Sequence, residues 1–433
     1  MQDDLREILA AGLAAADPAD AVRRSLRVVG SEISVGGRAF EAGSVSVVAA
    51  GKAAGAMARA AVEVLGDKIS GGIVVTKDDH DPGPEGLETV FSSHPEPDER
   101  GVEAARKARE LAESLEDNDL LLALISGGAS ALLADPGEGI GLNELKRLTG
   151  DLLRSGADIS EINTVRKHVS TLKGGGLANL AAPAPTLALL LSDVVGDEPS
   201  SIASGLTAPD PTTLEGARSV LERYGIEPPE SVTRHLATAE ETPKPGDDLF
   251  DKVVNVVCGG GRHAAEAAVE KARELGYAPL LLSTFFTGDA RGAASMYAAV
   301  VREVLASGNP IPPPCAIVGA GELTVTVRGD GTGGPNQEFS LALSLALEGV
   351  DGWAAFSVDT DGHDGPTEAA GALVDGGTAS AIREGGVDPE DAMETNDAYA
   401  ALEAGGALLV TGPSGTNVND LRVALVSGCR NGV

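Results

Sequence analysis

Unbroken apolar runs, rather than alternating ones, set the rhythm of this chain. Val45-Ser46-Val47-Val48-Ala49-Ala50 leads into Gly51-Lys52 and then an Ala/Met-rich helix from about Ala53. Leu120-Leu121-Leu122-Ala123-Leu124-Ile125 leads into Ser126-Gly127-Gly128-Ala129-Ser130. Val253-Val254-Asn255-Val256-Val257-Cys258 leads into Gly259-Gly260-Gly261-Arg262 and an amphipathic helix to about Leu275. Further buried strands are predicted at 72–76, 186–191, 278–283, 315–318, 354–358 and 407–410. Continuous apolar strands are covered on both faces, and their alternation with helices predicts parallel sheets. The reading is an α/β protein of two domains, each a mostly parallel sheet flanked by helices. The Pro- and charge-rich stretch Glu240-Glu241-Thr242-Pro243-Lys244-Pro245-Gly246-Asp247-Asp248 marks the boundary, giving domains 1–243 and 244–433. The last strand has the option of returning to the first domain. The proline run at 309–314 reads as an extended connector inside the second domain. Each Gly-rich turn ends a strand, where such sheets present ligands, and the cleft between the two domains is the expected active site.

Charge narrows the picture. The 433 residues carry a net charge of −32, with acids spread along the whole chain and only 10 lysines among 33 basic residues. Such self-repulsion is tolerated where salt screens it, which points to a salt-rich cytoplasm and a halophilic source. No basic patch exists for nucleic acid. No apolar run approaches the roughly 18 residues that a membrane helix needs, and the start Met1-Gln2-Asp3-Asp4-Leu5-Arg6 lacks a signal-like apolar core. Cys258, Cys315 and Cys429 are odd in number and lack metal-ligand spacing, which suits a reduced compartment.

Two stretches then carry the chemistry. Gly329-Asp330-Gly331-Thr332-Gly333-Gly334-Pro335-Asn336-Gln337-Glu338 is a glycine-rich turn entering a helix, whose free N–H groups suit an anion. Asp359-Thr360-Asp361-Gly362-His363-Asp364 ends an apolar run and suits a hard cation or a proton. Together they suggest phosphoryl transfer; a plain turn and a solvated acidic loop are the alternative. Lys52 adds a full charge at a helix mouth, although Ser46 and Ala53 rule out a Walker A loop. Ser126, Gly127, Gly128 and Ser130 form a nest for a carboxylate or phosphate; the nucleophile-elbow pattern is absent. Gly259, Gly260 and Gly261 make a phosphate cradle, but Ala265 and the acid-free strand end at Leu282-Ser283-Thr284 break the dinucleotide fingerprint. Asp193 and Asp197 follow an apolar strand, placed to orient Mg²⁺ or take a proton. The loop of Asp359 is no EF-hand, since Ala370 holds the twelfth position. Arg166-Lys167-His168 and Lys173 are a basic patch or a helix's polar face.

In order along the chain stand Ala49-Ala50-Gly51-Lys52-Ala53-Ala54, His94-Pro95-Glu96-Pro97-Asp98, Ile125-Ser126-Gly127-Gly128-Ala129-Ser130, Lys167-His168 with Lys173-Gly174-Gly175-Gly176, and Leu191-Ser192-Asp193-Val194-Val195-Gly196-Asp197. The second half holds Gly334-Pro335-Asn336-Gln337-Glu338, Asp359-Thr360-Asp361-Gly362, Asp364-Gly365-Pro366-Thr367 and Gly415-Thr416-Asn417-Val418-Asn419-Asp420-Leu421. In these segments the chain resembles the two-domain glycerate 2-kinase family with a carboxy-terminal MOFRL domain. The resemblance implies a Rossmann-like first domain, ATP and Mg²⁺, and conversion of D-glycerate to 2-phosphoglycerate; a monomer or a homodimer is the expectation, with the sequence favouring neither. It implies Lys52 and Asp193 as the catalytic pair and Ser126, Gly127, Gly128, Ser130, Arg328, Asn336 and Asn417 as substrate or phosphate contacts. It further implies Gly259, Gly260, Gly261 and Lys173 for the nucleotide, and Asp193, Asp197, Asp359 and Asp361 for the metal. The family usually has arginines just before Asn-Gln-Glu; Thr332 and Pro335 stand there, and Arg328 is the nearby substitute. A hydroxypyruvate reductase using NAD(P)H, a label carried by some family members, and a non-catalytic small-anion binder are the rival readings.

Overall fold

Sheets, not the proline-rich stretch, decide how the chain divides. The computed structural model describes residues 1–427, so Cys429 lies outside the described residues. Two compact units form. The first comprises Pro18–Ser192 and Asp197–Cys258; the second comprises Met1–Asp17, Asp193–Gly196 and the chain from Gly259 on.

The first unit opens with a small antiparallel sheet of β1 (Arg27–Val29), β2 (Glu32–Val35) and β3 (Arg38–Glu41). Its main sheet uses β4 (Ser44–Ala50), β5 (Ile69–Lys77), β6 (Glu88–Ser92), β7 (Asp119–Ile125), β8 (Thr186–Leu191) and β9 (Val253–Gly259), in the order β6-β5-β4-β7-β8-β9. The four pairings among β4 to β8 are all parallel. β7 and β8 are buried along almost their whole length, as continuous apolar runs require when helices cover both faces.

The boundary expected at 243/244 therefore moves to 258/259. The stretch around it is no linker. Pro243 accepts a backbone hydrogen bond from Asp210 at 2.9 Å, Thr242 donates to the Asp210 carboxylate at 2.8 Å, and Lys244 donates to the Thr212 carbonyl. After it the chain runs back as edge strand β9, so the Val253 run completes the first sheet instead of opening the second.

The second unit holds β10 (Ala278–Phe286), β11 (Cys315–Gly321), β12 (Trp353–Asp359), β13 (Gly371–Asp375), β14 (Leu408–Leu409) and β15 (Asp420–Val426), in the order β10-β11-β15-β12-β13-β14. The α/β class holds, but this sheet is mixed rather than mostly parallel: β10 and β11 pair parallel, and the other four pairings are antiparallel. An apolar run reports burial on both faces and carries no information on strand direction. The last strands stay in this sheet and do not return to the first unit.

One face of the sheet packs Leu421, Val423 and Leu425 against helices Gln2–Ala15 and Gly261–Glu274, through Leu5, Ile8, Ala265 and Ala268. The fit is tight enough that a Cβ on Gly12 would lie 2.6 Å from Leu421. The amino-terminal helix thus belongs to the second unit. The other face packs Ala424, Val426 and Trp353 against helices Ala290–Ser307 and Pro335–Ala346.

Candidate active site

In the first unit the turns after β4 and β7 form one piece. Lys52 N donates to Gly127 O at 2.9 Å, Ser126 N to Ala50 O at 2.9 Å, and Ala53 N to Ser126 Oγ at 3.1 Å. Gly51 has φ +127°, and a Cβ there would lie 2.2 Å from Ser126 Oγ, so only glycine allows the approach. The Ser126 hydroxyl is thereby a strut at the start of helix Ala54–Leu65. Lys52 stands at the mouth of that helix, where the N-terminal dipole and its own charge add, and its ammonium makes no ion pair among the described residues. A Cβ on Gly128 would touch both His94 (3.1 Å) and Lys52 Cγ (3.4 Å), so these three residues converge. The His94 imidazole is held down at about 4, by burial first and then by Lys52, Lys77 and His80, so near neutral pH it is an uncharged ring. No role for His94 follows from the sequence; its meeting with Lys52 is made by the sheet and has no local signal. Ser130 Oγ sits 3.1 Å from Ser204 Oγ. Lys173, 5% exposed, lies in the turn that precedes helix Gly176–Ala181. The turn after β8 holds Asp193, which counts with the second unit, and Asp197, which counts with the first and is left-handed at φ 55°.

In the second unit the two signature stretches are each other's partners. The N–H groups opening helix Pro335–Ala346 do not wait for an outside anion: Asn336 N (3.1 Å) and Gln337 N (2.8 Å) donate to the Asp364 carboxylate. The anion expected on this glycine-rich turn is the chain's own. Gly334 makes this possible, since a Cβ there would lie 2.3 Å from Asp364 Cγ. Asn336 is equally committed. Its Nδ2 donates to Asp364 Oδ1 (3.1 Å) and Asp420 Oδ1 (2.8 Å), and its Oδ1 accepts from Ser357 Oγ (2.5 Å) and Arg422 Nη2 (3.4 Å). Arg422, fully buried on β15, also donates to Asp420 and lies over the Phe339 ring. Around this one cation Asp359 is pushed up to about 8 and Asp364 to about 7, in each case by burial first, with neighbouring carboxylates adding to it.

Glu338 carries the next link. It accepts from Arg291 Nε at 2.7 Å and from Asn396 Nδ2 at 2.9 Å, and Asn396 Oδ1 in turn holds the backbone N–H of Arg328 (2.6 Å) and Gly329 (3.1 Å). The exposed Arg328 side chain rides on a loop fixed from below and makes no ion pair among the described residues. The Glu322 carboxyl, just past β11, is pushed up by burial, with Asp420 and Asp193 adding repulsion.

The chain matches two family models: "Domain of unknown function (DUF4147)" over residues 4–237 and the MOFRL family over residues 315–420. It is 46% identical to a D-glycerate 2-kinase of Thermotoga maritima over 383 residues, 88% of this chain and 90% of that protein. The chain belongs to the glycerate 2-kinase family with a MOFRL domain. A crystal structure of a Thermotoga maritima glycerate kinase superposes with a TM-score of 0.88 at 43% identity, covering 97% of this chain and 98% of that one. A protein of Agrobacterium vitis, provisionally named as a hydroxypyruvate reductase, is 42% identical over 98% of this chain and 94% of its own length.

The MOFRL match begins with β11 and ends on Asp420, so it encloses the Asn336–Asp364–Asp420 network. Gly259, Gly260 and Gly261 lead from β9 into helix Gly261–Glu274. A Cβ on Gly261 would come 3.2 Å from Val418 O, which brings this turn against the loop of Asn417. Asn417 Oδ1 accepts from Asn419 N at 3.1 Å and shapes that loop. Among the described residues no three His, Cys, Asp or Glu side chains group to hold a metal by themselves. Magnesium takes only one or two protein carboxylates when phosphates and water complete its shell, so the paired Asp359 and Asp361 fit an ion delivered with a nucleotide. Among the described residues no helix is long and apolar enough to cross a membrane.

Proposed function

We propose that this chain transfers the γ-phosphoryl group of ATP to the 2-hydroxyl of D-glycerate, giving 2-phosphoglycerate. The observation that carries the reading is the near full-length similarity to a D-glycerate 2-kinase, with the Lys52 turn intact at a helix mouth. Lys52 neutralises charge on the transferring phosphoryl group, and the backbone N–H groups of Gly127 and Gly128 are the donors beside it, since that of Ser126 is held by Ala50 O. Asp193 orients the acceptor hydroxyl and takes its proton. His94, uncharged at pH 7, hydrogen-bonds beside Lys52 without competing for the anion. Arg328 meets substrate or phosphate from its fixed loop, in place of the arginines that Thr332 and Pro335 displace. Asn336 acts by positioning, because its amide is already fully bonded. Gly259, Gly260 and Gly261, with the loop of Asn417, cradle nucleotide phosphate; the one or two carboxylates that would hold Mg²⁺ come from Asp359, Asp361 and Asp197, or from Asp193 if it serves the metal instead of the proton. The ion supplies charge neutralisation on the phosphates. A transition state with charge spread over phosphoryl oxygens is served by this mixture of cations and N–H donors.

The test is ADP release with D-glycerate in high salt, with the product assigned by NMR as the 2- or 3-phosphate. The name of the Agrobacterium relative favours one second reading, NAD(P)H-dependent reduction of hydroxypyruvate. Against it stands the incomplete fingerprint at Gly259–Gly260–Gly261 with Ala265. Nicotinamide oxidation with hydroxypyruvate and no ADP release with glycerate would replace the kinase by the reductase.

A further inference from the structure

Two cations of the first unit lack the partner that this chain gives most others. Lys173 is 5% exposed, and Arg166, on helix Ile159–His168, is half-buried; neither side chain makes an ion pair or hydrogen bond among the described residues. Lys173 is held down at about 8, by burial first, against the pull of Asp135 and with Arg166 adding repulsion. Burial alone lowers Arg166. Asp135 does not close the gap. Its Oδ2 is taken up by Thr171 N (2.6 Å), Thr171 Oγ1 (2.6 Å), Leu172 N (2.8 Å) and Ser170 Oγ (3.2 Å).

The adjacent Lys167 shows what a structural cation looks like here. It is buried too, and it meets Asp210 at 3.1 Å. The chain has 65 acidic and 33 basic residues, so carboxylates were abundant. One buried and one half-buried cation left without one mark a place kept for an anion from outside, since an unpaired charge drawn out of water is costly.

Ser204 ties this place together. Its hydroxyl lies 3.1 Å from Ser130 Oγ and donates to Asn163 Oδ1 at 3.1 Å, one turn before Arg166 on the same helix. Its carbonyl accepts from Gly174 N at 3.0 Å, next to Lys173. Ser204 and Ala203 are both left-handed (φ 58° and 49°), a conformation that a non-glycine residue keeps only where its surroundings enforce it.

We infer that Arg166 and Lys173, with the hydroxyls of Ser130 and Ser204, bind an oxyanion of a substrate, either a carboxylate or a phosphate. This deepens the kinase reading and rests on it, because both proposed substrates are anions. An arginine fork suits either group, and the deep burial of Lys173 favours a compact one, the carboxylate of the acceptor.

The test uses the whole chain in matched high salt, with Lys173→Met and Arg166→Gln. Calorimetry measures binding of D-glycerate and, separately, of a non-hydrolysable ATP analogue with Mg²⁺. The expected result is a Kd for D-glycerate raised at least ~10-fold in each variant, the scale of one lost charge-assisted contact, with the nucleotide Kd unchanged. The reverse pattern keeps the oxyanion site and assigns it to nucleotide phosphate. Unchanged affinity for both probes in folded variants overturns the inference. Lys173→Met should also melt no lower than the parent, since it removes an uncompensated buried charge; a lower melt with both affinities intact makes Lys173 structural and likewise overturns it. If Lys173→Met does not fold, the half-buried Arg166→Gln decides alone, with Arg166→Lys expected to recover part of the affinity. Parent turnover is measured in parallel. A parent without ADP release sinks the kinase reading, whereas an active parent whose variants bind normally sinks this inference alone.

Discussion

Lys52 and Ser126 look alike in the sequence, two polar residues at strand ends, yet the structure gives them opposite duties. Ser126 Oγ is bonded to Ala53 N, while the Lys52 ammonium is left without an ion pair among the described residues. A residue type announces what it can bond, and only the fold shows whether the bond is already made. Lys52→Met should therefore keep the melting temperature of the parent and lower ADP release with D-glycerate by ~10²-fold or more, the scale of one preorganised electrostatic contact. A folded variant with parental turnover would remove Lys52 from the reaction. Asp193→Asn tests the proposed base in the same way. Turnover should fall by ~10²–10⁴-fold, the range for a lost general base, in protein that melts normally. A lower melt with parental turnover would make Asp193 a structural residue.

At the scale of elements, the buried parallel strands were legible and the central strand of the second sheet was not. Thr186–Leu191 is uniformly apolar and is a strand over just the expected residues. β15 begins Asp420-Leu421-Arg422, and charge at alternate positions reads as a solvated edge, whereas here the pair is buried and mutually bonded. The helix opening at Pro335 was legible, but its anion partner was not, because Asp364 lies beyond the next strand. That burial has a pH signature. Asp359 and Asp364 titrate near 8 and near 7 when folded, against an ordinary carboxyl value of about 3.9 when unfolded. Between those limits the folded state holds protons that the unfolded chain releases. Their contribution to stability is present below about pH 4 and is lost as pH rises through about 7 to 8. His94 has the opposite sign: held at about 4, its neutral form favours the fold increasingly as pH rises toward its ordinary 6.5. Parent and Asp359→Asn should therefore be melted side by side across this range. The variant should gain stability relative to the parent as pH rises from about 5 to about 8, and added Mg²⁺ should narrow the difference by neutralising the pair. Parallel melting curves at every pH would show that Asp359 is not the raised group.

At the scale of the whole molecule the net charge of −32 governs stability more than any one contact. The cations that do pair are mostly exposed, as with Arg106 between Glu103 and Glu110 or Arg383 between Glu348 and Glu390. Such exposed pairs contribute little each, because water and salt screen them. Salt acts on both signs of interaction, screening these attractions and the repulsion among unpaired carboxylates alike. With about two acids for each base the repulsive sum is the larger, so screening should favour the compact state. Lowering the ionic strength from ~1 M to ~0.01 M lengthens the Debye screening distance from about 3 Å to about 30 Å, which lets carboxylates across a whole unit repel one another. The melting temperature should thus climb with NaCl or KCl over this range. Dialysis into dilute buffer should cost both helical circular dichroism and ADP release, recovered when salt is restored. Chloride salts are the right probe, since sulfate would strengthen apolar burial by exclusion and confound the charge effect. A melting temperature that stays level or falls as chloride is added would mean that the surface ion pairs, and not the unpaired carboxylates, set the balance.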